Sequence, residues 1–327
     1  MSSIAPLGIL VRDDRPDEDV LDEVYRRYAP SNPFLPVTHF IDHATMGSEA
    51  LVGLGLGRQV RRWSEKHAVR PYQPPTGGVP IASAWQDALG RQDCHGDWLR
   101  HLERELESVP FPQVLGRWVP RFAHEVGAFL FHGLIRTAHA TRALAHRDTP
   151  ARRGELARGL ALWAIGIRTP SPEANSERED GADSGPGFVD FARLGAVSFV
   201  TAPSFPNLHL VTGPMAYCLV APYLDWDTHR RATRSFGQTH ARASQSFAAL
   251  KDRADAAPVA SFTPRHLMAL AGQGDAHPIK LTEAALRAYE QTRDDIFLKA
   301  AGKALEVHSL RALISVARAT LARRAER

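Results

Sequence analysis

Apolar residues recur at helical spacing along most of the chain, and this pattern constrains the fold more than any other feature of the sequence. Near the start, Val20, Leu21 and Val24 fall on one helical face. Residues 119–147 are apolar almost all round, which is typical of a central, buried helix. Alternating strand patterns are scarce, and residues 196–202 form the best candidate strand. The sequence therefore predicts an all-α protein.

Several positions indicate where these helices begin, bend or end. Residues 36–67 are expected to form one long, mostly buried helix with a glycine-rich end. Pro214 is expected to kink or divide the apolar segment 206–224, because proline lacks an amide hydrogen. Thr149 and Asp275 each precede a helical pattern and have side chains suited to cap it.

The whole chain, residues 1–327, is expected to form one large multi-helix domain. Its hydrophobic residues, 44% of the total, are ample for a well-buried core. Residues 168–187 are rich in Pro, Ser, Gly and acidic residues, which predicts a flexible loop. Similar helical patterns flank this loop, which favours a loop within the domain over a linker between domains.

Charge and composition argue against several classes of protein. The net charge is only +4, and no long run of like charges occurs, so nucleic-acid binding is not expected. No stretch approaches the ~20 apolar residues of a membrane span. The first residues lack the basic start and apolar core of a secretory signal. Since the two cysteines, Cys94 and Cys218, are expected to stay reduced, we predict a cytoplasmic protein and leave its oligomeric state open.

Common catalytic motifs are missing from the sequence. It contains no serine elbow, Walker loop, CxxC pair or HExxH motif. The segment GLGLGR, at 53–58, closes a helical pattern, so a helix end is a better interpretation than a dinucleotide loop. Histidine is the one unusual count, with 15 residues, and the local contexts of these histidines have to be compared.

Histidines in apolar segments are the first candidates for a site. His39 and His43 are four residues apart, so a helix would place them on one face. His132 and Arg136 have the same spacing in a very apolar helix, where buried polar groups need partners. His124 would border the same cavity as His132 without having to bind the same ion. The structural alternative for His39 and His43 is a capped or partly exposed pair. For His132 it is a core histidine paired with a carboxylate.

The segment around Lys280 offers two interpretations. His277 and Lys280 are three residues apart, so they share a face on the first turn of a helix. Lys280 is either solvated or buried beside a metal, and burial lowers the pKa of a lysine from ~10.4. A neutral amine can add carbon dioxide and become a carbamate, an anionic oxygen ligand. His209, flanked by apolar residues, gains weight only if other histidines converge on it.

Several segments together resemble the questin oxidase-like family. The matching pieces come in the family's order across roughly residues 39–302 and are HFIDHATMGSEALVGLGLG, YQPP, GAFLFHGLIRTAHATRAL, LHLVTGPMAYCLVAPYL and GDAHPIKLTEAALRAYE. Among these, FHGLIR and DAHPIKLTEA are the most specific.

The resemblance implies an all-α oxygenase with a central buried site for non-haem iron, Fe(II). Such an enzyme oxidises or cleaves a small aromatic, polyketide-like substrate of the anthraquinone or quinone type with O₂. The metal ligands, which would also be the catalytic residues, are His43, His132, His209, His277 and Lys280 as a carbamate. Whether NADPH serves as a reductant stays open, because no convincing nucleotide loop is present.

Three further residues are expected to support this site or bind substrate. Some family members carry a second histidine where this chain has Met46, and His39, one turn upstream of His43, would substitute for it. Arg136 would pair with an enolate or phenolate oxygen of the substrate or, equally, form a structural ion pair. Glu283, three residues after Lys280, would lie just behind the metal ligands and help to orient them.

Two other functions fit the same residue types. A lysine carbamate also serves binuclear zinc chemistry, which would make the protein a metal-dependent hydrolase. A non-catalytic helical binding protein is the second alternative, and it would place the histidines in different directions.

Overall fold

The computed structural model describes residues 18–35, 41–168, 187–259 and 263–306. These ranges contain fifteen α-helices, four short 3-10 helices and two isolated β-bridges, with no strand among them. The helices are α1 (Glu18–Tyr28), α2 (Ala44–Gly53), α3 (Gly57–Ser64), α4 (Ile81–Ala84), α5 (His95–Ser108), α6 (Phe111–Phe122), α7 (His132–His146), α8 (Pro150–Ala164), α9 (Phe188–Thr201), α10 (Phe205–Val220), α11 (Trp226–Thr239), α12 (Ala241–Ala256), α13 (Pro264–Gly272), α14 (Ala276–Thr292) and α15 (Asp295–Glu306). The prediction of an all-α protein is confirmed.

Two predictions about secondary structure along the chain have other outcomes. Residues 196–202 were the best candidate for a strand, but 188–201 form the largely buried helix α9. A short apolar run cannot distinguish a buried strand from a buried helix. The predicted loop at 168–187 lies outside the described residues, except for its two ends. None of the described helices is both long and apolar enough to cross a membrane.

The helix predicted over residues 36–67 is two helices in the structure. A Schellman motif ends α2: the amide of Leu56 donates to Leu51 O, and that of Gly55 donates to Val52 O. Gly55 has a φ of +74°, which a glycine adopts without steric cost. Residues 41–43 precede α2 and are not helical, so the pairing of His39 and His43 on one helix is wrong.

The predicted central helix is also shorter than expected. Residues 119–147 divide into the end of α6, a 3-10 helix and α7, which begins at His132. Twelve of the fifteen residues of α7 are buried, so the helix is central, as its composition predicts. The caps at Thr149 and Asp275 are confirmed by their hydrogen bonds to backbone amides.

Proline 214 does not divide the helix in which it lies. Helix α10 continues from Phe205 to Val220 with Pro214 in its interior. Proline removes one intrahelical hydrogen bond, and the buried residues on both sides hold this helix together. Of the two effects expected of Pro214, a kink or a division, the division does not occur.

Close helix packing fixes the surroundings of the central helix. A methyl group at Gly133 would lie 2.4 Å from Trp163 Cα, and one at Gly159 would lie 2.7 Å from Thr137 N. Helices α7 and α8 therefore approach each other too closely for side chains at these positions. Helix α7 also packs against α2 and α10, and both of these pack against α14. The four helices α2, α7, α10 and α14 surround the candidate site.

Candidate metal centre

Four histidines from separate segments meet in the interior. His43 lies just before α2, His132 begins α7, His209 lies in the first half of α10 and His277 lies in the first turn of α14. His43 Nε2 is 2.6 Å from His132 Nε2, which is 3.3 Å from His209 Nε2. Ligand atoms of His43, His132 and His277 all lie within 4.8 Å of one another. These histidines and Lys280 are called the histidine cluster below.

Three of the histidines each form a hydrogen bond through Nδ1, and these bonds determine the tautomer of each ring. His132 Nδ1 is 2.5 Å from the carbonyl oxygen three residues earlier, and His209 Nδ1 is 2.7 Å from the carbonyl oxygen four residues earlier. His277 Nδ1 is 2.7 Å from Asp275 Oδ1. Because each of these oxygens accepts a hydrogen bond, Nδ1 carries the hydrogen and Nε2 presents a lone pair.

The arrangement of these lone pairs could accommodate a cation. Lone pairs on the Nε2 atoms of His132 and His209, 3.3 Å apart, repel each other unless a proton or cation lies between them. Two nitrogens bound tetrahedrally to one zinc at about 2.0–2.1 Å are separated by about 3.4 Å. His277 Nε2 is buried and has no hydrogen-bond partner among the described residues. The spacing of His132 and His209 and the bare Nε2 of His277 therefore fit a metal ion, whereas His43 and His132, 2.6 Å apart, are spaced as a hydrogen-bonded pair.

Electrostatics keep the four imidazoles neutral. Burial is the largest cause that lowers the pKa of His43, His132, His209 and His277, and Lys280 lowers each further whenever it is protonated. For His277, Asp275 opposes this effect. Metal binding requires unprotonated imidazole, so these side chains are in the form that a metal ion needs.

Lys280 lies in this cluster as a buried amine. The side chain is 1% exposed, and its Nζ has no hydrogen-bond partner among the described residues. Burial lowers the pKa of Lys280 to about 7, although the nearby carboxylate of Asp275 opposes the shift. The interpretation of a solvated lysine is therefore wrong. A neutral amine is the form that reacts with carbon dioxide, and the carbamate stays a prediction.

Two supporting features of the site went unrecognised in the sequence. Asp275 accepts from the backbone amide of His277 at 2.9 Å and also orients its ring, whereas the sequence predicted the helix cap alone. Phe205 packs against two ligand candidates, with its ring centroid 4.5 Å from that of His209 and 4.9 Å from that of His277. The position of Asp275, two residues before His277, could have indicated its contact with the ring from sequence alone. The contacts of Phe205 depend on tertiary packing and could not.

Arg136 forms the structural ion pair that was the alternative to substrate binding. Its Nε donates to Glu155 Oε1 at 2.7 Å, and its Nη2 donates to Glu155 Oε2 at 2.9 Å. Both side chains are buried. A substrate oxygen would have to displace this bidentate carboxylate, so the geometry favours the structural role.

Glu283 belongs to a separate buried group, which we call the ion-pair network. Its members are Glu49, His139, Arg142, Glu283 and Arg287. Arg142 bridges Glu49 and Glu283, and Arg287 Nε donates to Glu283 Oε1 at 2.9 Å. Glu283 is not a hydrogen-bond partner of Lys280, and its ion pairs in the described residues are with Arg142 and Arg287.

Two further histidine candidates have other outcomes. His39 lies outside the described residues. His124 lies on the 3-10 helix Ala123–Glu125 and not on α7, so it does not share a helix with His132. His124 is not among the three residues whose ligand atoms group together in the described part of the chain.

The geometry thus defines a class of site: a buried, histidine-rich centre able to hold a metal ion, with a lysine amine beside it. No family model matches the chain, and no curated protein matches it significantly.

Proposed function

We propose that this protein is a metal-dependent oxygenase with non-haem Fe(II) bound in the histidine cluster. His43, His132 and His277 would hold the ion, and His209 and carboxylated Lys280 would complete its surroundings. The observation that carries the proposal is the convergence of four neutral imidazoles beside a buried, unpartnered amine.

The donor set supports iron over the alkaline-earth ions. Imidazole nitrogens combined with one anionic oxygen ligand suit Fe(II), whereas Mg²⁺ and Ca²⁺ prefer oxygen ligands throughout. When bound, iron would supply the means to activate O₂ for oxidation of an organic substrate. The small aromatic, quinone-type substrate rests on the resemblance to the questin oxidase-like family. A cytoplasmic location is part of the proposal, because both cysteines are free thiols.

Side chains of this protein would hold and shield the site. Asp275 fixes the ring of His277 through Nδ1, and Phe205 covers the rings of His209 and His277 with an apolar surface. Burial of these groups excludes water, which strengthens electrostatic interactions within the site. These residues therefore supply orientation and a dry environment.

Metal analysis of protein purified without a tag tests the proposal. We expect about one iron per chain and O₂ uptake with quinone-type aromatics, assayed with and without NADPH. The double variant His132→Ala/His277→Ala should lose the metal. His146→Ala, which alters an exposed histidine at the other end of α7, is the matched control and should keep it. Wild-type protein without a transition metal, or a double variant that retains it, would contradict the proposal.

A metal-dependent hydrolase is the second candidate. The buried amine of Lys280 favours it, since a carbamate can bridge two ions about 3.5–4 Å apart. The same metal analysis separates the two functions. Two zinc ions per chain and no O₂ uptake would select the hydrolase.

A further inference from the structure

Three consecutive residues with left-handed backbone precede the central ligand candidate His132. Phe129, Leu130 and Phe131 have φ angles of +48°, +54° and +65°. Residues with a Cβ atom visit this region rarely, and then usually as single residues. Strained backbone of this kind persists only where the surrounding structure holds it in place, and it concentrates at functional sites.

Two glycines provide the space that holds this left-handed turn. A methyl group at Gly166 would lie 2.6 Å from Phe129 Cδ2, and one at Gly213 would lie 2.7 Å from two ring carbons of Phe131. The rings of Phe129 and Phe131 therefore pack directly against the backbone at Gly166 and Gly213. Leu130, between them, is 40% exposed and contributes little to this anchoring.

The turn gives His132 a hydrogen-bond acceptor that its position in the helix would otherwise deny it. His209 lies inside a helix, and its Nδ1 donates to the carbonyl four residues earlier, Phe205 O. His132 begins its helix, so no preceding helical turn supplies such a carbonyl. The left-handed turn directs Phe129 O to within 2.5 Å of His132 Nδ1 instead.

We propose that the left-handed turn, Phe129–Phe131, is a positioning element that fixes the tautomer and direction of His132 for metal binding. The inference rests on the proposed metal site and deepens it. The two phenylalanines are positioning residues, because they act on the ion only through His132. A turn that merely connects α6 to α7 would have no influence on the metal.

Substitutions at Leu130 separate these two roles. Glycine adopts the left-handed conformation without strain, so Leu130→Gly should raise the melting temperature of metal-free protein and leave Zn²⁺ affinity unchanged. Valine, branched at Cβ, disfavours this conformation, so Leu130→Val should lower both stability and Zn²⁺ affinity, the affinity about tenfold by titration calorimetry. A destabilised Leu130→Val protein with unchanged affinity would overturn the proposal.

Two further variants, called the anchor variants, alter the glycines against which the turn packs. Gly166→Ala should displace the ring of Phe129, and Gly213→Ala should displace the ring of Phe131. Each variant should lower Zn²⁺ affinity about 10- to 100-fold. Their Co²⁺ complexes should show altered visible spectra, which a general loss of stability would not produce. Gly237→Ala is the control, because the added methyl group would meet nothing within 4 Å beyond its own helix backbone and chain neighbours, and it should bind both metals as the wild type does.

An NMR measurement on metal-free protein keeps this inference separate from the proposed function. In ¹⁵N-histidine-labelled protein, His132 should be the Nδ1–H tautomer, with its signals assigned by their loss in His132→Gln. In Gly166→Ala, we expect a mixture of tautomers. Wild-type protein that binds no metal would overturn the proposed function, while this measurement still decides what the turn does. An unchanged tautomer and an unchanged affinity in both anchor variants would overturn the inference.

Discussion

The histidine cluster and the ion-pair network share helices but differ in how their polar groups are satisfied. Helix α7 supplies His132 to the cluster, and two turns later it supplies His139 to the network. Helix α14 supplies Lys280 to the cluster and, one turn later, Glu283 to the network. Most members of both groups are buried and only His43, Arg142 and Arg287 are half-buried, so burial alone does not distinguish the groups.

Partners distinguish the two groups. In the network, Arg142 donates to Glu49 through Nε at 2.7 Å and through Nη2 at 2.6 Å, and it also pairs with Glu283. Arg287 completes the balance of two carboxylates and two guanidinium groups. In the histidine cluster, lone pairs face one another and the amine of Lys280 lacks a partner. A buried group left unsatisfied destabilises a fold, which is expected where a ligand supplies what is missing.

Breaking the network should have the largest effect on folding. Arg142→Met leaves the two carboxylates without their shared cation, and removing one partner of a buried ion pair costs about 3–5 kcal/mol. Urea denaturation of metal-free protein measures this loss. Arg142→Lys retains the charge without the forked geometry and should lose less. If Arg142→Met cost under about 1 kcal/mol, the network would not be the structural element described above.

Metal addition should stabilise the protein through the histidine cluster alone. An ion at 100 times its dissociation constant raises the free energy of unfolding by about 2.7 kcal/mol. Thermal unfolding with and without Zn²⁺ measures the gain. Glu49→Gln, in the network, should keep this gain, while His132→Ala/His277→Ala should lose it. A gain that disappears in Glu49→Gln as well would mean that the two groups are not separable.

Removing the amine of Lys280 should have the opposite sign to removing Arg142. Lys280→Met keeps a side chain of similar length and eliminates a buried group without a partner. Relief of this desolvation should raise the stability of metal-free protein by about 1–3 kcal/mol, measured with chelator and without bicarbonate. The same variant should bind metal more weakly. A destabilised Lys280→Met protein would show that the amine has a partner in the folded chain.

Local sequence predicted the helices better than their ends. Periodicity is a property of neighbouring residues, so the all-α class and the buried centre of α7 could be read directly. The end of α2 depends on the left-handed backbone of Gly55. A glycine in a helical pattern can have several other roles, so the sequence did not identify this one. The turn at Phe129–Phe131 could not be predicted, because no local propensity favours it and tertiary contacts hold it.

The same limit applies to the candidate site. The sequence identified His132 and Lys280 by residue type and by resemblance, and the structure buries both. Arg136 pairs with Glu155 on another helix, and Glu283 pairs with Arg142 on another helix and with Arg287 one turn later on its own. The sequence therefore left the roles of Arg136 and Glu283 open. Helical spacing shows which residues share a face but does not show what that face meets.

Acid should weaken the ion-pair network through its carboxylates. Burial would raise the pKa of Glu49, but Arg142 and His139 hold it down to about 2, from an ordinary 4.5. Because the pKa is lower in the folded state, this stability is complete above pH 4.5 and is lost as the pH falls towards 2. Each such carboxylate contributes a slope of at most about 1.4 kcal/mol per pH unit in that window.

Urea unfolding at a series of pH values between 4.5 and 2 measures this slope. The pKa of Glu283 is also lowered, despite burial, mainly by Arg142, so the wild type should show the sum of both groups. Glu49→Gln removes one titrating group and should make the slope shallower, whereas Glu107→Gln, on the exposed side of α5, should not. An equal slope in wild type and Glu49→Gln would mean that the network does not hold Glu49 ionised. The contrast with the histidine cluster would then rest on hydrogen bonding alone and not on charge.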